Sequence, residues 1–175
     1  MLFGQEHVEA YRASGGEVGH EWQPGVYCLL LTTTGRRSGQ PRTAPLIYVQ
    51  DGDDYVVIAS KGGADTHPAW YLNLEADPQV ELQVGEQVMA ATARDASGDE
   101  AARLWQRMAE VWPAYDDYAM KTDRAIPVVV LSPEAVRAVA GMTSSPTCSS
   151  TSGFASRLRY HAGWVSAPPF EAMTM

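Results

Sequence analysis

Residues 26–42 read Val-Tyr-Cys-Leu-Leu-Leu-Thr-Thr-Thr-Gly-Arg-Arg-Ser-Gly-Gln-Pro-Arg, and this stretch decides how the chain folds. Its first six residues form a continuous apolar run, which is typical of a β-strand buried on both faces. A loop rich in glycine and hydroxyl residues follows and carries the Arg36-Arg37 pair. Backbone N–H and guanidinium groups in such a loop can bind phosphate or carboxylate oxygens. The stretch therefore predicts a central strand that leads into an anion-binding loop.

Strand patterns continue towards the C-terminus. Residues 43–49 and 55–60 flank an Asp-Gly pair, which predicts a hairpin between the two segments. Apolar and polar residues alternate in residues 80–84, and a Gly-Glu turn leads into residues 88–93, which predicts a second hairpin. Residues 126–131 supply a sixth strand.

Helices interrupt these strands. Residues 5–14 predict a short helix in a mobile lead-in, and Pro68 begins a second helix that ends near Ala76. Ser97 and Glu100 have the spacing of a capping box, and an apolar stripe follows them at helical spacing. Because strands and helices do not alternate regularly, the pattern favours a small antiparallel barrel over a doubly wound sheet. The predicted fold class is mainly β (α+β), with about six antiparallel strands and two to four peripheral helices.

The chain is expected to form one domain, since 175 residues can bury a core of their own. Residues 1–22 are read as the lead-in, and residues 23–142 as the barrel. The composition then changes to a Ser/Thr-rich tail in which no apolar period continues. Residues 143–175 are therefore expected to be disordered.

Composition and missing motifs exclude several classes of function. The net charge of −8 argues against nucleic acid as the ligand, because binding a phosphate backbone needs a broad basic face. The sequence has no Gly-x-Gly-x-x-Gly, Walker, Gly-x-Ser-x-Gly or His-Glu-x-x-His motif. Two cysteines and four scattered histidines show neither a disulfide framework nor metal-ligand spacing, so no metal site is expected. With no signal-peptide pattern and no apolar stretch of membrane-spanning length, a cytoplasmic location is expected.

The cations of this acidic chain are concentrated in one region. Residues 22–50 contain three arginines and no acidic residue, although the whole chain has 13 Lys+Arg against 21 Asp+Glu. Arg36, Arg37, Arg42 and Lys61 flank two glycine-containing turns and form a candidate anion clamp. This asymmetry indicates one local anionic partner.

Three separated blocks of sequence carry a family resemblance. They are Thr-Thr-Thr-Gly-Arg-Arg-Ser-Gly at residues 32–39, Ser-Lys-Gly-Gly at residues 60–63 and Thr-Asp-Arg-Ala-Ile-Pro at residues 122–127. With these blocks in this order, the chain resembles the deazaflavin-dependent nitroreductase family, whose members bind coenzyme F420 on a split β-barrel. The likeness implies a single-domain split β-barrel. It also implies an oxidoreductase that uses reduced F420 to transfer a hydride to a small conjugated acceptor, such as a quinone, an enone or a nitro compound.

The resemblance also implies which residues form the site. Coenzyme binding is expected at Arg36, Arg37, Ser38, Arg42, Thr43, Ala44, Pro45, Leu46, Ile47, Ile58, Ala59, Ser60, Lys61, Ala69, Trp70, Tyr71 and Asn73. Tyr115 and Tyr118, three residues apart on one helical face, are the expected catalytic residues, and Tyr115 would orient the acceptor or donate a proton. Trp112 and Ile47 stand where the best-studied branch of the family carries tyrosines, so the choice of acceptor is expected to differ.

Two other functions remain open at this point. The same fold could bind flavin mononucleotide (FMN) instead of F420, or the protein could carry a coenzyme without turnover. The expected partner is a small-molecule acceptor. The protein is expected to be a monomer or a homodimer, with peripheral membrane contact possible and no membrane span.

Overall fold

The computed structural model of the chain describes residues 2–134. The predictions for residues 143–175 lie outside this range. Within it, no helix is both long enough and apolar enough to cross a bilayer.

Eight β-strands and four α-helices make up the described part of the chain. In chain order they are α1 (Gly4–Ala13), β1 (Glu21–Gln23), β2 (Val26–Thr34), β3 (Pro41–Ile47), β4 (Val49–Asp51), β5 (Asp54–Ile58), α2 (Ala69–Leu74), β6 (Gln79–Val84), β7 (Gln87–Asp95), α3 (Gly98–Val111), α4 (Ala114–Met120) and β8 (Val128–Pro133), with a 3-10 turn at Lys61–Gly63 between β5 and α2. All strand pairs are antiparallel, in the order β1-β2-β6-β7-β8-β5-β4, and β3 also pairs with β2. The predicted mainly β, antiparallel fold is confirmed. The strand count rises to eight because β1 and β4, three residues each, are too short to show a pattern.

Strand β2 is buried on both faces, as its apolar run predicts. Leu29 and Leu31 point into the main core, which β5, β6, β7, β8 and α2 also form. Leu30 points the other way and packs against Val8 and Tyr11 of α1. A strand covered on both sides needs apolar residues at consecutive positions, which explains why the run does not alternate.

The first predicted hairpin is partly wrong. The segment at residues 41–47 pairs back with β2, Ala44 opposite Leu31 and Pro45 opposite Leu30, and does not pair with β5. A tight turn causes this pairing, because the N–H of Gly35 donates to the carbonyl of Gln40 at 2.8 Å and reverses the chain. The predicted Asp-Gly turn does exist, but it joins β5 to the short strand β4. The second hairpin, β6 to β7, forms as predicted.

Helix α1 is held firmly on the sheet, in contrast to the predicted mobile lead-in. Tyr11 is fully buried, and its hydroxyl accepts a hydrogen bond from the backbone N–H of Gly85 at 2.8 Å. The same hydroxyl lies 2.8 Å from Nδ1 of His20 and 3.2 Å from the carbonyl oxygen of Cys28. One buried side chain therefore ties the helix to β2 and to the β6–β7 turn.

The helix starts differ in detail from the sequence predictions. Pro68 is the N-cap of α2 and not its first residue. Ser97 is the N-cap of α3, but its side chain makes no capping hydrogen bond. Glu100 does not close the predicted capping box, because Arg94 binds its carboxylate at 2.7 Å through both terminal nitrogens.

The buried residues of α3 are Leu104 and Met108, which lie on the predicted apolar stripe.

Candidate functional site

Two neighbouring cavities open between the sheet and the helices. The first, of about 440 Å³, has walls of aromatic and apolar side chains and is called the aromatic cavity here. The second, of about 350 Å³, is lined by the β2–β3 loop and helix α2 and is called the arginine cavity. Trp70 lines both, so the two cavities are neighbours that share this residue.

Most of the predicted site residues line one of these cavities. Pro45, Leu46, Ile47, Ile58, Ser60, Lys61, Trp70, Tyr115 and Tyr118 line the aromatic cavity. Arg36, Arg37, Ser38, Arg42, Thr43, Ala44, Ala69, Trp70 and Asn73 line the arginine cavity. Two predicted residues line neither: Ala59 is buried in the core, and the hydroxyl of Tyr71 donates to Asp95 at 2.7 Å on another face of α2.

The arginine cavity presents cations that no carboxylate neutralises. The side chains of Arg36, Arg37 and Arg42 form no ion pair and no hydrogen bond with another residue of the range 2–134. The ion pairs that form within this range join Asp51 and Glu100 to arginines outside the loop. Three unpaired guanidinium groups around one cavity are suited to binding an anion.

Asn73 connects the arginine loop to helix α2. Its side chain is buried; Oδ1 accepts a hydrogen bond from the backbone N–H of Arg36 at 3.1 Å, and Nδ2 donates to Oγ1 of Thr33 at 3.0 Å. The carboxamide is thus already bonded at both ends to protein atoms. At the cavity, the role of Asn73 is therefore to hold the loop in place.

The turn after β5 has an unusual backbone. Lys61, Gly62 and Gly63 have φ values of 49°, 66° and 82°, three consecutive residues in the left-handed region. A Cβ at Gly63 would lie 2.8 Å from the carbonyl oxygen of Tyr118, so glycine is required where the turn meets α4. The Nζ of Lys61 donates to Oγ1 of Thr66 at 2.9 Å and remains exposed at the cavity edge.

Two hydroxyl groups reach the aromatic cavity without a protein partner. Ser60 and Tyr115 are both buried residues of the lining, yet their hydroxyls bond to no other residue of the described part of the chain. Every fully buried side-chain nitrogen and oxygen in that part has a partner, so these two hydroxyls must retain contact with the cavity space. Burial raises the pKa of Tyr115 above its ordinary value, which keeps the phenol protonated and able to donate.

The N-terminal segment forms the far wall of the aromatic cavity, and the sequence analysis missed this. The ring centroids of Phe3 and Trp22 lie 5.6 Å apart, and those of Trp22 and Trp112 lie 5.5 Å apart. The indole N–H of Trp22 donates to the carbonyl of Leu2 at 3.0 Å and fixes the chain end against the wall. His7 also faces the cavity, with Nε2 bound to the carbonyl oxygen of Gly19 at 2.9 Å. No local sequence pattern marks this wall, because Phe3, Trp22 and Trp112 become neighbours only through tertiary packing.

A curled antiparallel sheet with an aromatic cavity beside a cationic one defines a class of barrel protein whose cavities suit a planar ligand with an anionic arm. Comparison with known proteins agrees with this class. The family model described as F420H(2)-dependent quinone reductase matches residues 3–133, and the chain belongs to that family. Membership makes the chain an F420H2-dependent oxidoreductase with coenzyme F420 as its cofactor, as the sequence predicts.

Individual relatives extend the comparison. The chain is 43% identical over 129 residues to an F420H(2)-dependent quinone reductase of Mycobacterium tuberculosis, a match that covers 72% of this chain and 87% of the relative. A solved F420-H2 dependent reductase (FDR-A) matches with 42% identity and a TM-score of 0.56, over 60% of this chain and 93% of that one. A solved structure described as a domain-swapped dimer matches with 42% identity and a TM-score of 0.57, over 60% of this chain and 79% of that one.

Proposed function

We propose that this protein transfers a hydride from reduced F420 to a quinone bound in the aromatic cavity. The observation that supports this proposal most is that the two cavities are neighbours, with Trp70 in the lining of both. A single ligand can place a planar ring on the aromatic side and an anionic arm among unpaired arginines. The remaining aromatic wall then leaves space for a second planar molecule beside the ring.

The residues of both cavities suit the coenzyme. Arg36, Arg37, Arg42 and Lys61 would hold the phosphate and the acidic part of the coenzyme, since they supply charge that no residue in the range 2–134 neutralises. The ring would lie against apolar residues of β3 and β5, with the hydroxyl of Ser60 available as a hydrogen-bond partner. When bound, reduced F420 supplies the hydride, and the protein contributes positioning and a dry environment.

Tyr115 is the proposed hydrogen-bond donor to the acceptor. A quinone oxygen gains negative charge as the ring carbon accepts a hydride, and a neutral phenol that points into the cavity can stabilise that charge. The raised pKa of Tyr115 suits donation of a hydrogen bond more than full loss of the proton. Tyr118 packs edge-on against Tyr115, with ring centroids 6.1 Å apart, and would hold its ring in position.

Activated enones and nitro compounds are a wider set of proposed acceptors. They carry the same conjugated system and an oxygen that becomes charged on reduction, so Tyr115 could serve them in the same way. Trp112 and Ile47 both line the aromatic cavity, so we expect these two side chains to influence which acceptors fit.

The test is to follow oxidation of reduced F420 by its absorbance, with the purified protein and a panel of quinones, enones and nitro compounds. We expect turnover with quinones such as menadione. Coenzyme binding without oxidation by any member of the panel would indicate a carrier protein. An FMN spectrum released by denaturing the purified protein would favour the flavin alternative.

A further inference from the structure

The left-handed turn at Lys61–Gly63 must be stabilised by contacts with other parts of the chain. A non-glycine residue with positive φ costs about 1 kcal/mol or more, and within residues 2–134 Lys61 is the one such case. Such a conformation persists when surrounding contacts favour it over the alternatives. Both Lys61 and the preceding Ser60 line the aromatic cavity, so whatever fixes the turn also fixes part of the site.

The side chain of Arg124 supplies these stabilising contacts. Its Nη2 donates to the carbonyl oxygens of Ala59 at 3.1 Å and Ser60 at 2.8 Å, and its Nε donates to the carbonyl of Ala64 at 2.7 Å. The guanidinium therefore bonds to both ends of the turn. No carboxylate in the range 2–134 pairs with Arg124, so its charge is directed at these carbonyl oxygens.

The direction of these carbonyls determines what the turn offers to the cavity. In a trans peptide the N–H points opposite to the C=O. Because the carbonyls of Ala59 and Ser60 face Arg124, the N–H groups of Ser60 and Lys61 point away from it. Neither N–H has an acceptor within residues 2–134. Arg124 thus holds two unpaired backbone donors on the side of the turn opposite to itself.

The segment that carries Arg124 is itself anchored to the same loop. Oγ1 of Thr122 donates to Asp65 at 3.0 Å and accepts a hydrogen bond from the backbone N–H of Arg124 at 3.3 Å. Nη1 of Arg124 lies 3.3 Å from Nδ1 of His67. These contacts hold the guanidinium in one orientation behind the turn.

We propose that Arg124 is a positioning residue for the coenzyme: it does not touch the ligand but orients the backbone N–H groups of Ser60 and Lys61 that do. This inference rests on the proposed coenzyme site. Lysine cannot replace the planar guanidinium, since a single ammonium cannot reach all three carbonyls in one geometry.

The experiment compares F420 binding, measured by the fluorescence of the coenzyme, in the wild type and in Arg124→Ala, Arg124→Lys and Lys61→Ala. We expect both Arg124 variants to weaken binding by about tenfold or more, and millimolar guanidinium added to Arg124→Ala to restore part of the affinity. The salt dependence separates the roles. It should fall in Lys61→Ala, which loses a direct ionic contact, and stay as in the wild type in the Arg124 variants. Arg103→Ala, which removes a surface ion pair with Asp51, is the matched control.

Unchanged affinity in a folded Arg124→Ala variant would overturn the inference, as would a salt dependence reduced as in Lys61→Ala. Should the melting curve show that Arg124→Ala does not fold, Arg124→Lys decides in the same way. Absence of F420 binding by the wild type would instead overturn the proposed function and this inference with it, so the two failures are distinguishable.

Discussion

The carboxamide oxygen of Asn73 accepts a hydrogen bond from the backbone N–H of Arg36 at 3.1 Å. Helix α2 therefore sets the position of the arginine loop, although the two residues lie 37 positions apart in the chain. The guanidinium groups of the loop have no partner within residues 2–134, so this backbone contact is what ties the loop that carries them to α2.

Removing this contact should affect both stability and binding. In Asn73→Ala the N–H of Arg36 loses its acceptor and the buried hydroxyl of Thr33 loses its donor, which costs about 1–3 kcal/mol of unfolding free energy. We expect F420 to bind about tenfold more weakly, because the loop is free to move. Urea unfolding and a coenzyme titration measure the two effects. Gln79→Ala, which removes an exposed pair with Thr92, is the control and should change neither.

Charge removal in the two cavities should weaken coenzyme binding directly. Arg36→Ala, Arg37→Ala and Lys61→Ala each delete one cation, and a charge-assisted contact is worth roughly 1.5–3 kcal/mol, so we expect a loss of about tenfold or more in each. Added salt should weaken binding by the wild type as well. The measurement is a titration of each variant with F420 at two salt concentrations. If all three variants bind as the wild type does, the arginine cavity is not the anion site.

Tyr115→Phe should separate binding from turnover. The ring stays packed against Tyr118 and Trp105, whereas the hydroxyl that faces the cavity is lost. We expect unchanged F420 affinity and a value of kcat roughly tenfold lower with quinones. Tyr55→Phe, whose side chain lines neither cavity, is the matched control. A full turnover rate in Tyr115→Phe with several acceptors would leave this tyrosine a packing role alone.

Alkaline pH should destabilise the fold through Cys28. Burial raises the pKa of this thiol from 9.0 to about 12 in the folded protein. Below pH 9 both states keep the proton and the stability is complete. Between pH 9 and 12 the unfolded chain releases its proton while the folded one retains it, so stability falls by up to about 1.4 kcal/mol per pH unit.

Chemical unfolding at pH 8, 9 and 10 measures this slope. Tyr48, whose pKa is also raised to about 12 by burial, adds to the decline above pH 10. In Cys28→Ala the loss between pH 9 and 10 should become smaller, because one titrating group is gone. An identical slope in wild type and variant would show that the thiol is not protected in the folded state.

Local patterns in the sequence predict those parts of the fold that depend on neighbouring residues. The run at residues 26–31 predicts β2 because burial on both faces requires consecutive apolar residues. The Gly-Glu pair predicts the β6–β7 turn because the turn needs a positive φ, 60° at Gly85, that glycine adopts readily. The pairing of β3 with β2 was missed, since the chain reversal depends on a hydrogen bond between Gly35 and Gln40 that no period displays.

The site shows the same division. The loop with Arg36 and the turn with Lys61 stand out in the sequence because charge and glycine coincide there. Arg124 reaches carbonyl groups about 60 residues earlier in the chain, and Tyr11 reaches Gly85 at a separation of 74 residues, so their roles follow from tertiary packing. Phe3 and Trp22 were missed for the same reason.

The position of Trp70 in the lining of both cavities affects how tightly a ligand can bind. A ligand that occupies the two sides behaves as a bivalent ligand: once its ring is bound, its anionic end is held near the arginines at an effective concentration in the millimolar range or above. Separate ring and anion fragments would each bind weakly, and joining them would give an affinity well beyond either. The distance between ring and charge then determines the affinity. A molecule that has both groups at the wrong spacing can use only one of the two cavities and binds weakly.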